Sequence, residues 1–473
     1  MPSSETSRTN KLLGNTLLLG IGAVFSKCLQ LVMVVFYSSW LTAAEYGDYD
    51  LYVTYISLII PIATLSCGEA LFRFLLERES IKSRQQVIST AFAIVSGCVV
   101  LTLGILLIFA KQLFIEHLFQ FVLLLVVEIC CNLSQSIARG LHRLKLYAIS
   151  SMLGAIVMAI CTSFFIKVFD LGLNGMLYGN IVGYGASFLF CFIGLNVYRY
   201  INLKEVSSQE AKTIVKYSAP LIPNSIAWWI ANGSDRTIIR YNLGSEYNGI
   251  YSIANKVPSI CVTLFSVFHL SWQESASDAV REDVDPTPYF NSTFQAMIPT
   301  LMSIAIGVLS TNFFLFDYIF DPKYSEGYPH VAILVLATVF SFMSQFIGGI
   351  FIGLKKTDVN GLTTVIAALI NIIVDLALIK FIGLYAASIS TLVAYVVLFG
   401  IRFINVRRTY KISVGKKGYV YMMLLLYFCV MQYVRNPILN WINLVVAIVL
   451  FIYTNRAFVE KFLSKIINRR VKS

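Results

Sequence analysis

The chain has 473 residues, of which 57% are hydrophobic and only 13% charged, with a mean hydropathy of +0.74. A soluble protein cannot hold so much apolar surface away from water, so composition excludes that class and indicates an all-α polytopic membrane protein. The net charge of +12 would suit nucleic acid, but the cations fall in short segments between apolar stretches, where they set topology.

Charge-poor stretches recur at 13–41, 50–76, 87–110, 114–137, 146–168, 172–198, 214–241, 248–273, 289–316, 327–353, 359–381, 384–404, 418–434 and 437–456. A helix crosses a bilayer in about 20 residues, so we expect about 14 transmembrane helices. The first apolar run is long enough to span and is expected to be retained. With the N-terminus inside, 27 of the 37 Lys and Arg fall in cytoplasmic segments and 7 outside. That split predicts both termini on the cytoplasmic side. One inner segment, 274–285, dissents by being acidic, but acids weigh little in this rule. It is also part of the longest loop expected, about fifteen residues, too short for a catalytic domain.

The first hairpin, 14–76, reads as two apolar helices around a polar turn, Glu45-Tyr46-Gly47-Asp48-Tyr49. The turn recurs as Glu246-Tyr247-Asn248-Gly249-Ile250-Tyr251. Gly172, Leu173, Val182 and Tyr184 match Gly383, Leu384, Val393 and Tyr395 at one offset of 211. Arg139-Gly140-Leu141 likewise resembles the segment around Gly353-Leu354-Lys355. Six spans separate the copies, so the repeat is parallel, with its axis along the membrane normal. We expect a six-helix lobe over 1–206, a second over 207–410, and two extra helices with a basic tail over 411–473.

Within spans, ionisable residues are expensive and mark candidate sites. Lys27 lies roughly 20 Å from either end of its helix, too far to snorkel comfortably. It faces a polar cavity or a structural ion partner. Arg73 comes one turn after Glu69, where the two can pair; the alternative is ligand contact near the inner mouth. Lys256 precedes Pro258, which removes a backbone donor and can break the helix. Asp235 and Arg236 adjoin, so they point about 100° apart. Either could face a cavity, and an acid there could carry a proton or Na⁺. Asp375 and Glu128 are further intramembrane acids, for which interhelical pairing is the rival. Pro220 and Pro223 flank an expected kink, gating or static.

The nine cysteines lie in apolar stretches and read as small buried side chains. His117, His142, His269 and His330 show no metal spacing, and no nucleotide-binding glycine loop occurs. No metal, cofactor or catalytic constellation is expected.

Asn15, Ser26-Lys27, Leu41-Thr42 to Gly47, Pro61, Gly68, Arg73, Pro220 to Asn224, Asp235-Arg236 and Glu246 to Tyr251 together carry a resemblance. The chain resembles, over essentially its whole length, the O-antigen and capsule flippases of the superfamily that includes multidrug exporters and the lipid II flippase. The resemblance implies two six-helix bundles in a V shape, alternating access, and a cationic cavity in which Lys27, Arg73, Lys256 and Arg236 hold a polyprenyl-pyrophosphate-linked glycan. Asp235 and Asp375 would couple to an ion. It implies the cytoplasmic membrane of a prokaryote, with membrane lipids and other polysaccharide-assembly membrane proteins as partners. A multidrug antiporter of the same fold and a non-transporting scaffold of a polysaccharide synthesis complex are the alternatives.

Overall fold

The computed structural model describes residues 25–282, 284–456 and 460. Asn15 lies outside the described residues. The described chain is all-helical, as its composition requires. Its helices are α1 (25–40), α2 (Ala43–Ala63), α3 (Cys67–Leu75), α4 (Ile81–Phe109), α5 (Leu118–Gly140), α6 (Leu144–Lys167), α7 (Gly172–Gly194), α8 (Ser208–Ser218), α9 (Ile222–Asn242), α10 (Ser245–Glu282), α11 (Thr287–Phe314), α12 (Tyr328–Gly353), α13 (Thr357–Ile382), α14 (Leu384–Arg407), α15 (Gly415–Met431) and α16 (Pro437–Thr454). They form two compact units, residues 1–229 and 230–473.

Among the described residues nine helices are long and apolar enough to cross a membrane, or eleven if each of two bent pairs is one span. Of the fourteen expected spans, the first lies partly outside the described residues, and two others do not meet that length and hydropathy. α9 carries Asp235, Arg236, Arg240 and three asparagines, and α15 has only 17 residues and opens on Lys416-Lys417. Two loops shrink as well. α10 runs 38 residues, about 57 Å at 1.5 Å per residue, so most of the acidic 274–285 segment is helix. There Arg281 pairs with Asp278 at 3.0 Å and Glu282 at 2.8 Å. α8 begins in the expected loop before 214 and ends inside the span expected at 214–241, burying Ile214 and Ser218.

The Glu-Tyr segments are not turns but first helical turns. Thr42 caps α2 and Glu45 completes a capping box, its Oε2 accepting from Thr42 N–H at 2.9 Å. Glu45 Oε1 also accepts from Leu173 N–H at 3.3 Å, tying the start of α7 to the start of α2. Gly172 is required there: its φ is +49° and an added Cβ would strike the Glu45 carboxylate. In the second unit Glu246 occupies the first turn of α10, and the chain reverses at Gly244, φ +102°.

The span expected at 50–76 is two helices bent by 57°. Leu65 and Ser66 take left-handed φ of 47° and 52°, and Ser66 N–H returns to Pro61 O at 2.9 Å. α10, by contrast, passes through Pro258 and bends by 40° between Ser266 and Ser271. The proline is tolerated inside the helix and does not place the break.

In the first unit, Tyr52, Leu71, Phe121, Leu124, Leu125 and Ile137 belong to one core. In the second, α15 and α16 pack on α11, with Asn312 donating to Gln432 Oε1 at 3.1 Å and Asn455 to Ser303 Oγ at 3.1 Å.

Candidate functional site: a buried polar cluster

Four helices of the second unit bring neutral polar side chains to one carboxylate. Asp235, on α9, is 1% exposed. Its Oδ2 accepts from Tyr251 Oη of α10 at 2.8 Å and from Thr391 Oγ1 of α14 at 2.9 Å. Around it, Asn371 of α13 accepts from Ser234 Oγ at 3.1 Å and donates to Ser390 and Thr391 at 3.4 Å. Tyr395 donates to Asn232 Oδ1 at 2.6 Å. Asp375 lies one turn beyond Asn371, hence on the same face of α13, and the charges of Asp375 and Asp235 act on each other.

Asp375 is fully buried, yet neither of its oxygens has a hydrogen-bond partner, and Asp235 Oδ1 has none either. Leaving such acceptors unpaired costs about 1–3 kcal/mol each. Three open carboxylate oxygens among hydroxyls and an amide are groups that can accept a proton or coordinate a small cation. Among the described residues no group of three His, Cys, Asp or Glu could hold a metal ion; any cation here would be held by two acids and neutral oxygens.

Arg236 adjoins the cluster, and its charge acts on Asp235. Its Nη1 donates to Asn232 O at 2.6 Å, and its guanidinium lies 5.6 Å from the Tyr251 ring centroid. Lys256 is half-buried on the same helix as Tyr251. Lys27 is exposed on α1 and has no ion-pair partner among the described residues. Its neighbour Ser26 donates to Ser151 O at 3.1 Å.

Arg73 does not pair with Glu69. It bonds Glu77 at 2.8 Å, while Glu69 sits 3.8 Å from Arg139 of α5. The i,i+4 spacing allows either partner of Arg73; Glu69 lies on the α5 side, where Arg139 also stacks over Phe72. Pro220 occupies a short 3-10 turn, Ala219–Leu221, between α8 and α9, and Pro223 stands in the first turn of α9. The kink expected inside one span is a junction between two helices. Glu128 of α5 is half-buried, with no hydrogen bond among the described residues.

Sequence reasoning picks out Asp235 and Asp375 because acids in apolar stretches are conspicuous. It misses Asn232, Asn371, Thr391 and the roles of Tyr251 and Tyr395. It also misses Arg402, which reads as one of the topogenic loop cations. Arg402 is 2% exposed within α14 and has no acidic partner among the described residues. Its fork donates to Thr363 Oγ1, Ser344 O, Asn360 O and Thr364 Oγ1, each at 3.0 Å.

The described residues thus form a helical membrane fold with two acids buried inside one helix cluster. The sequence model of the polysaccharide biosynthesis protein family matches residues 12–270, and the chain belongs to that family. Among curated proteins none matches the sequence. The fold is that of a lipid II flippase, MurJ, in an inward closed conformation, at 14% identity and a TM-score of 0.71, covering 94% of this chain and 100% of that one. It is also similar to an inward-facing multidrug resistance MATE transporter, at 14% identity and a TM-score of 0.65, covering 81% and 95%. A single-residue mutant of the Vibrio cholerae MATE transporter VcmN follows at 13% identity and 0.59, covering 88% and 100%.

Proposed function

We propose that the protein is a flippase, not an enzyme, and moves a polyprenyl-pyrophosphate-linked oligosaccharide from the inner to the outer leaflet of a prokaryotic cytoplasmic membrane. It would do so by alternating access between a six-helix lobe over 1–206 and another over 207–410, with both termini cytoplasmic, serving surface polysaccharide assembly. Membership of the polysaccharide biosynthesis family supports the substrate class. The observation that carries the reading is Lys27, an exposed cation without an ion-pair partner among the described residues, on a helix otherwise apolar around it. Such a residue is expensive unless it meets water or an anion. Arg73, Arg236 and Lys256 add positive charge for the pyrophosphate, arginine by its planar fork. The prenyl tail stays in lipid.

The test is the sidedness of lipid-linked glycan in spheroplasts of a depletion strain, read with an impermeant glycan-binding reagent. Inner-leaflet glycan should build up and be cleared by the natural protein but not by Lys27→Ala, inserted at equal level. Full clearance by Lys27→Ala would remove the cationic-cavity reading.

The Asp235–Asp375 cluster favours a second element, coupling to H⁺ or Na⁺. A multidrug antiporter would use such acids too. A deletion strain that becomes drug-sensitive while exporting glycan normally would select that alternative.

A further inference from the structure

At the end of the first unit where α5 meets α6, a cavity of about 640 Å³ is lined by Arg84, His142, Arg143, Arg199 and Tyr200, with no acid among its lining residues. Two acids close by in sequence are paired with other arginines: Glu210 with Arg78 at 2.9 Å and Glu77 with Arg73 at 2.8 Å. None of Arg84, Arg143 and Arg199 has an ion-pair partner among the described residues. The walls are held in place before any ligand arrives. Gln85 Nε2 donates to Arg199 O at 2.9 Å, Ser89 Oγ to Tyr200 O at 3.1 Å, and Asn202 N–H to Ser89 Oγ at 2.8 Å. Arg84 Nε is fixed to Arg78 O at 3.0 Å, leaving its two terminal nitrogens for a ligand. The cavity's other lining is apolar, from Ile81, Leu141 and Leu195. Beside it Ile81, Ile193 and Tyr198 are 67%, 63% and 53% exposed.

We infer that this cavity binds the phosphate of an anionic membrane-lipid headgroup. Three guanidinium groups without carboxylates select phosphate, by charge and by bidentate geometry. The volume lies in the range of small-molecule sites and far exceeds a bare phosphate. The exposed apolar residues beside it suit acyl chains. Basic pockets between helices at the membrane edge take such headgroups. The inference is independent of the cargo proposed above.

The test uses the full chain, purified in detergent and stripped of lipid, titrated with dioctanoylphosphatidylglycerol, the matching phosphatidylcholine and inorganic phosphate, read by microscale thermophoresis. Phosphatidylglycerol should bind about tenfold tighter than either of the others. Arg84→Gln/Arg143→Gln/Arg199→Gln should abolish that preference, whereas the charge-matched Arg407→Gln/Arg408→Gln/Lys411→Gln should keep it. Should the first variant not purify, Arg143→Gln alone is expected to lose about threefold, its side chain having no hydrogen bond among the described residues. A preference kept by the pocket variants, or lost equally in the control, overturns the inference. Inorganic phosphate binding as tightly as the anionic lipid overturns the lipid source and leaves a soluble-phosphate site.

Discussion

Asp375 and Arg402 are both fully buried ionisable residues of the second unit, and they make opposite predictions. Arg402 has four acceptors for its five N–H groups. Arg402→Met would remove four charge-assisted hydrogen bonds between α12, α13 and α14 and leave packing incomplete, at a cost of about 2–4 kcal/mol. Lysine would not restore it, because one ammonium cannot span the carbonyls of α12 and α13 that the guanidinium reaches together. A melting temperature in detergent lowered several degrees by both substitutions is expected, and an unchanged value for Arg402→Lys would refute the clamp. Asp375 has no hydrogen bond to lose. Asp375→Asn or Asp375→Leu should therefore melt no lower than the natural protein, and higher if the carboxylate is charged there. The same variants should erase any dependence of transport on a pH or Na⁺ gradient. Stability given up only for function is the expected signature of such a site. Its members were unequally legible. An acid in an apolar run announces itself, whereas Asn371 and Thr391 look like any small polar residue a helix tolerates. Only tertiary approach shows that they bond each other beside one buried carboxylate.

At the scale of elements, the α6–α7 pair shows how closely two spans pack. Gly175, Gly179 and Gly183 recur every fourth residue along one face of α7. A Cβ at Gly183 would come within 2.5 Å of Met158 Cβ, and one at Gly179 within 2.6 Å of Thr162 Cα. Small residues at this spacing let helix backbones approach where no hydrophobic force drives them together. Gly179→Val should push the helices apart and sharply reduce the monodisperse peak in size-exclusion chromatography. Gly104→Val, where a Cβ meets nothing within 4 Å, should not. The internal repeat read from sequence acquires a mechanical meaning at this scale. Leu141, His142 and Arg143 N–H bond Ile137, Arg139 and Ala138 carbonyls; Leu354, Lys355 and Lys356 bond Ile350, Ile352 and Phe351 in the same pattern. His142 and Lys355 share a φ of +58°. Gly172 and Gly383 open α7 and α14 at φ of +49° and +55°. The repeat survives in helix ends because end geometry restricts residue choice, while apolar faces exchange freely. The same geometry explains the misread turn: a capping Thr-x-x-Glu and a reverse turn draw on the same polar residues.

At the scale of the whole molecule, fourteen apolar stretches were legible, but their status as spans was not. α9 trades hydropathy for Asn232, Asp235 and Arg236, so the helix with the most site chemistry falls short of the hydropathy of a spanning helix. Topology rests on the distribution of cations, and it can be checked directly. Single cysteines at Ser83 and Lys356, in an otherwise cysteine-free chain, should be labelled by an impermeant maleimide only after the membrane is opened. Those at Lys111 and Lys323 should label in intact cells; the reverse pattern would invert the orientation. Orientation in turn decides the energetics of the proposed transport. Carrying two negative charges outward from a negative interior gains roughly 4–5 kcal/mol at 100 mV. A potential alone could then drive flipping, and the acid cluster would set rate or direction without supplying the work. In proteoliposomes, a potassium diffusion potential, positive on the receiving side, should accelerate glycan-lipid movement severalfold in the natural protein and in Asp375→Asn alike. Acceleration by a Na⁺ or pH gradient, lost in Asp375→Asn, with no response to the potential, would instead place the work at the buried acids.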